Sequence, residues 1–245
     1  MKIVTLGPEG TFSHEVALNY VRYCKSASQP SITFVETIRD VFEEVAKDNS
    51  RYTLGIVPIE NSVGGSIGQT MDYLIQYDLK IEAEEILPIS HNLVCFGNIK
   101  DIKTLYIHPQ TYDQCELFIK KGLPKVEIIH TSSNGRSAEI VAKSKDKATA
   151  SIISKTAASI YNLKIIKKDV QDNMFNITRF FVIGNSENKK TGHDRTSIAL
   201  YPQVDRPGLL YDILGQFAKK KINLTRIESR PSKGKLGDYI FYIDF

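Results

Sequence analysis

A chain of 245 residues, 42% hydrophobic and 24% charged, has a globular composition and is long enough for one large domain or for two. Its 32 basic and 28 acidic residues leave a formal charge of +4, with the lysines scattered and no aromatic array among them, which argues against a nucleic-acid groove. The three cysteines, Cys24, Cys95 and Cys115, form no CxxC, and neither a signal-peptide core nor a membrane span is visible, so reduced thiols in a cytoplasmic protein are expected.

Short apolar runs alternate with helical patterns along most of the chain. Residues 3–6, 32–35 and 54–58 read as buried strands; between them, 14–23 and 38–47 have helical spacing, with Val41, Phe42 and Val45 on one face. A helix is predicted over 68–77, an extended stretch over 80–89, and strands over 92–96 and 105–107. Pro109 suits a first helical turn, so one helix is expected over 109–120. Strand 126–129, helix 136–143, strand 149–153, helix 154–161 and strands 164–166 and 179–183 complete a βαβα rhythm that predicts a parallel-rich α/β architecture. Residues 185–194, polar and carrying Gly192, read as a linker. After it come strand 196–201, a helix from Pro207 to about Lys221 with Leu210, Ile213, Leu214 and Phe217 on one face, and strands 223–229 and 239–245 joined by a turn with Gly234 and Gly237. This is the first part of a split βαβ sandwich, so the C-terminus is expected to be cut short. No internal repeat is visible.

Four loops carry chemistry-bearing residues. Gly7-Pro8-Glu9-Gly10-Thr11-Phe12-Ser13 leads from a strand into a helix; it reads as an anion-binding loop or as a turn with Ser13 as cap. Pro58-Ile59-Glu60-Asn61-Ser62-Val63-Gly64-Gly65-Ser66 also follows a strand, where ligands collect in open α/β sheets, and carries more polar groups than an Asx turn needs. His108 precedes Pro109, with Gln114 further along the helix; it is either a ligand-facing group or a surface helix start. Asn176-Ile177-Thr178-Arg179-Phe180 brings an amide, a hydroxyl and a guanidinium to one strand end, unless it is an edge strand facing water. His14, His91, His108, His130 and His193 have no metal-ligand spacing, and no Gly-x-Ser-x-Gly elbow occurs. Hydroxyls, amides, backbone N–H groups and one arginine suit an anionic, oxygen-rich small molecule better than hydrolysis by a nucleophile or a metal.

In order and spacing these four motifs resemble the prephenate dehydratase family. Two more, Arg206-Pro207-Gly208-Leu209-Leu210 and Glu228-Ser229-Arg230-Pro231, resemble the phenylalanine-binding motifs of that family's C-terminal ACT domain. The resemblance implies a two-lobed catalytic domain like type 2 periplasmic-binding proteins over 1–184, with lobes 1–88 plus 167–184 and 89–166. A linker over 185–194 and an α+β, ferredoxin-like ACT domain over 195–245 follow. It implies conversion of prephenate to phenylpyruvate without a cofactor, inhibition by phenylalanine, and a homodimer or homotetramer.

Thr178, Glu60 and Asn61 are the implied catalytic residues. Thr178 is expected to donate a hydrogen bond to the departing hydroxyl, with a buried, protonated Glu60 as the alternative acid. Gly10, Thr11, Ser62, Gly65, Ser66, His108, Gln114, Asn176, Arg179 and Phe180 are the implied substrate-binding residues, and backbone N–H groups at Gly10-Thr11 and Gly64-Gly65 the anion donors. Arg179 either meets the pyruvyl carboxylate or braces its loop. Pro207, Gly208, Leu209, Leu210, Asn223, Glu228, Ser229, Arg230 and Pro231 are the implied phenylalanine site. Ile107 stands where many relatives place serine, which removes one hydroxyl. The rival readings are a non-catalytic amino-acid sensor, an arogenate dehydratase and, on charge alone, a nucleic-acid binder.

Overall fold

The computed structural model describes residues 1–24, 30–48, 50–188, 190–204, 206–232, 234 and 238–245; Lys189 of the expected linker and Gly237 of the expected turn lie outside them. The chain divides into two compact units, Met1–Glu187 and Asn188–Phe245.

In the first unit, β1 (Lys2–Leu6), β2 (Ser31–Val35) and β3 (Thr53–Asn61) are parallel and are joined through α1 (Phe12–Tyr23) and α2 (Ile38–Lys47). Thr37 and Asp40 close a capping box at the start of α2, whose Val41, Phe42 and Val45 are fully buried. β4 (Gly65–Ser66) turns back on β3, and α3 (Gly68–Gln76) and β5 (Lys80–Pro88) follow. The chain then builds a second sheet. Its parts are β6 (Asn92–Cys95), β7 (Thr104–Ile107), α4 (Pro109–Gln114), α5 (Glu116–Gly122), β8 (Glu127–His130), α6 (Asn134–Ser144), β9 (Thr149–Ile153), α7 (Lys155–Ile160) and β10 (Ile165–Lys167). It returns to the first sheet as β11 (Ile177–Gly184).

The first sheet runs β2-β1-β3-β11-β5, with β4 beside β3, and the second runs β8-β7-β9-β6-β10. In each, three parallel strands are followed by an antiparallel strand arriving from the other lobe, β11 in one and β6 in the other. The lobes therefore share one topology although the sequence shows no repeat. Two crossing segments link them and are tied together: Ile89 N–H donates to Asn176 O and Val170 N–H to His91 O, both at 2.8 Å.

Three local expectations change. The helix expected over 109–120 breaks at Cys115 (φ −127°, ψ 15°). Asp172, from the second crossing, explains the break. Its N–H takes the Gln114 carbonyl (2.8 Å) and its carboxylate accepts from Leu117 N–H (3.0 Å), so α4 stops and α5 gains a cap. Thr11, not Ser13, caps α1, because Thr11 Oγ1 accepts the His14 N–H at 3.2 Å. β11 starts at Ile177, which puts Thr178 inside the ladder.

The second unit, Asn188–Phe245, contains β12 (Ser197–Leu200), α8 (Leu209–Lys219), β13 (Arg226–Pro231) and β14 (Tyr239–Asp244), with antiparallel sheet order β12-β14-β13. β14 lies between the strands flanking α8, as a split βαβ unit requires. The helix begins at Leu209 and not at Pro207, because Gly208 takes a left-handed conformation (φ +82°) as N-cap. Asn223 lies in the exposed loop before β13. Among the described residues no helix is long and apolar enough to cross a membrane, and no cluster of three or more His, Cys, Asp or Glu could hold a metal.

Candidate active site

The β3–β11 register sets Thr178 opposite Asn61 and Arg179 opposite Glu60. Asn61 Oδ1 accepts the backbone N–H groups of Val63 (3.0 Å) and Gly64 (2.7 Å). A backbone N–H only donates, so the other end of the carboxamide must be the NH2 group. That group donates to Asn176 Oδ1 (2.7 Å), Thr178 Oγ1 (2.9 Å) and Ile177 O (3.3 Å). Thr178 is thereby an acceptor toward Asn61, and its own proton is left for another partner. Asn61, Asn176 and Thr178 are all buried, where unmade hydrogen bonds are costly, so the orientation is held firmly.

The same logic extends across the crossings. Asn176 Oδ1 is taken by Asn61, so Asn176 Nδ2 donates to Gln114 Oε1 at 2.9 Å. Gln114 Oε1 also lies 2.7 Å from His91 Nε2. His91 stands on the first crossing, Asn176 on the second, Gln114 at the end of α4 in the second lobe, and Asn61 and Thr178 in the first. The His91 ring meets Phe12 edge-on at 5.4 Å, joining the network to the start of α1. His91 is absent from the residues that sequence reasoning singles out. A lone histidine between two apolar strands gives no local sign of its partner.

Arg179 faces away from this network. Side chains alternate along β11, and Phe180 and Val182, on the face of Thr178, pack with Val16 and Ala17 of α1. The Arg179 guanidinium instead bonds Glu60 (3.2 Å) and Glu84 (2.9 Å) and lies 5.3 Å from the centre of the Phe181 ring. The Glu60 side chain is 37% exposed and paired to the Arg179 guanidinium.

Several expected binding groups are already occupied. Gly10, in a left-handed conformation (φ +84°), donates its N–H to His14 Nδ1 at 3.1 Å. Thr11 N–H points to Pro8 O (3.4 Å), and the Thr11 hydroxyl donates to Leu6 O (3.0 Å). Gly64 N–H serves Asn61, and Gly65 and Ser66 are exposed in β4. Ser62 Oγ donates to Phe175 O and accepts from Ile177 N–H, both at 2.9 Å, so it ties the loop to β11. Phe180 is core, 2% exposed. His108, part-buried, precedes α4 and makes no capping bond.

A cavity of about 310 Å³ is lined by Gly64, Gln110, Asp113, Gln114, Asp172 and Asn176, among others. Thr178 and the loop after β1 are not on its wall, and its two aspartates do not suit a dianion. By strand alternation Thr178 shares the face of β11 on which Phe180 and Val182 pack with Val16 and Ala17 of α1.

Burial pushes the imidazoles of His14, His91 and His108 below their ordinary range; Glu9 partly offsets this for His14 and Gln114 for His91, while His130 adds to it for His108. Each group binds fewer protons folded than unfolded. Its stability contribution is complete above the unfolded pKa of about 6.5 and is lost as pH falls through the window below it. Melting temperature is expected to drop between about pH 7 and pH 5 in thermal unfolding scans, and His91→Gln to flatten that fall.

The family model described as prephenate dehydratase matches residues 3–188. The chain belongs to the prephenate dehydratase family. A second model, the ACT domain, matches residues 203–245. The prephenate dehydratase of Methanocaldococcus jannaschii is 44% identical over 241 residues, 97% of this chain and 85% of that protein. The bifunctional chorismate mutase/prephenate dehydratase of Aquifex aeolicus is 39% identical over the whole chain, which spans about two thirds (65%) of its length. The crystal structure of an Arthrobacter aurescens prephenate dehydratase in complex with L-Phe superposes with a TM-score of 0.86 at 30% identity, covering 100% of this chain and 80% of that one.

In the ACT domain of this prephenate dehydratase family member, Pro207, Gly208, Leu209 and Leu210 form the turn and first residues of α8, and Glu228, Ser229, Arg230 and Pro231 lie on the edge strand β13. Glu228 holds Arg226 (2.7 Å) and Arg230 (3.7 Å). Leu209 lines a cavity of about 300 Å³ with Tyr201, Pro202, Gln203, Asp238, Tyr239 and Phe241, which none of the β13 motif residues lines.

Proposed function

We propose that this chain is a prephenate dehydratase: it converts prephenate to phenylpyruvate, carbon dioxide and water. Aromatisation drives the reaction, and the barrier is the departure of a poor leaving group. The electrons of the breaking C–CO2 bond enter the ring as the C–O bond breaks, and the hydroxide that leaves must gain a proton. The observation that carries the reading is the Asn61–Thr178 bond, which makes Thr178 Oγ1 an acceptor on the protein side and leaves its O–H to donate. A donor of this kind aimed at developing negative charge contributes roughly 3–4 kcal/mol to the transition state. Asn61 and Asn176 then act as positioning residues.

Arg179 is assigned to bracing, held by Glu60 and Glu84 on the opposite face of β11. That arrangement suits the chemistry, because a firm salt bridge to the departing carboxylate would stabilise the ground state more than the transition state. The ACT domain is assigned to inhibition by L-phenylalanine and to assembly of a homodimer or homotetramer. Tyr211 and Leu210, apolar and exposed on α8, support an interface there. Buried free thiols at Cys95 and Cys115 fit the cytoplasm.

Purified protein incubated with prephenate is expected to form phenylpyruvate, and added L-phenylalanine to lower the rate. Phenylalanine formed from arogenate, with prephenate untouched, would move the reading to the amino substrate. No turnover of either would favour a sensor.

A further inference from the structure

The direction of every hydrogen bond between Thr178 and His91 follows from one fixed point, the backbone N–H groups of Val63 and Gly64 on Asn61 Oδ1. They orient Asn61, Asn61 orients Asn176, and Asn176 presents its NH2 group to Gln114 Oε1. With Gln114 Oε1 an acceptor, the His91 nitrogen 2.7 Å away must be Nε2–H. The opposite nitrogen, Nδ1, is buried without a hydrogen-bond partner, as suits a bare lone pair in the neutral tautomer.

His91 is held to match. Its N–H donates to Gln171 Oε1 (2.9 Å), its carbonyl accepts from Val170 N–H (2.8 Å), and it is 1% exposed. Two donors, His91 Nε2–H and Asn176 Nδ2–H, converge on one Gln114 oxygen and hold α4 of the second lobe against both crossings. Without the His91 donor, Gln114 is free to rotate its amide. Asn176 then loses the acceptor that keeps its oxygen turned toward Asn61.

We propose that His91 is a positioning residue for the dehydration: through Gln114 and Asn176 it holds in place the Asn61–Thr178 pair, whose donor and acceptor directions the Val63 and Gly64 N–H groups set. The inference rests on the proposed dehydratase reading. It assigns His91 no contact with substrate, so its loss is read in kcat and not in KM.

Five proteins test it: wild type, His91→Leu, His91→Gln, Gln114→Met and the double variant His91→Leu/Gln114→Met, each assayed for phenylpyruvate formation and melted to establish that it folds. His91→Leu removes the donor and is expected to lower kcat about tenfold or more with KM changed less than about threefold. His91→Gln keeps an N–H at a similar reach and is expected to recover most of that loss. Gln114→Met cuts the same link from the other side, serves if His91→Leu does not fold, and is expected to combine with His91→Leu non-additively. Folded His91→Leu or Gln114→Met with kcat within about twofold of wild type overturns the proposal. So do equal losses in His91→Leu and His91→Gln, which indicate packing alone, and so does a change confined to KM. A wild-type chain that forms no phenylpyruvate overturns the functional reading and this proposal with it; turnover by wild type isolates failure to the proposal.

Discussion

Thr178→Val is expected to lower kcat for prephenate by about a hundredfold to a thousandfold while the protein still folds. Valine keeps the shape and the β-branched strand preference and removes only the hydroxyl. The stability cost is small for a stated reason. Asn61 Nδ2 loses Thr178 Oγ1 but keeps Asn176 Oδ1 at 2.7 Å and Ile177 O at 3.3 Å, so neither of its two N–H groups is stranded. One hydrogen bond lost without an orphaned partner costs about 1 kcal/mol. A thermal melt paired with a phenylpyruvate assay separates the two effects. A folded Thr178→Val within a few-fold of wild-type turnover would reduce Thr178 to a structural hydroxyl.

Asn61→Asp is expected to reproduce most of that loss from the neighbouring residue. The substitution is nearly isosteric, and one carboxylate oxygen still accepts from Val63 and Gly64. The other stands where the NH2 group donated, 2.7 Å from Asn176 Oδ1 and 2.9 Å from Thr178 Oγ1. An ionised carboxylate only accepts, so the Thr178 proton turns toward it and away from the reacting hydroxyl. The Ile177 carbonyl, 3.3 Å away, now opposes an oxygen, and a buried charge is poorly solvated; together these cost roughly 1–3 kcal/mol. Because both substitutions remove the same donor, Asn61→Asp/Thr178→Val should be little slower than either single variant. Additive losses would show that Asn61 acts by another route.

Much of the architecture was legible in the residues because it rests on local physics. Val41, Phe42 and Val45 mark the buried face of α2 by spacing alone, and the apolar runs of β1 and β3 mark strands buried by helices, whereas β2, read as buried, is an edge strand with no buried residue. The expectations that changed depend on partners that the pattern of a segment does not reveal. One helix over 109–120 is a sound reading of its own residues; Asp172, far along the chain, ends it by taking the Gln114 carbonyl. The glycine loops promised free N–H groups, yet those of Gly10 and Gly64 are claimed by His14 and Asn61 within their own turns. A motif shows which donors exist and leaves open which are already used.

By itself the sequence determined the alternation of elements, the motifs at the strand ends and membership of the prephenate dehydratase family, because periodicity and motif order are properties of neighbouring residues. Only the tertiary structure decided what the motifs do to one another. Strand pairing brings Asn61 to Thr178 across 117 positions and sends Arg179 to the opposite face. The crossings bring His91 to Gln114, and Gln114 to Asn176. The physical reason is that a buried side chain's donor and acceptor roles depend on every partner around it, and those partners meet only when the sheets close.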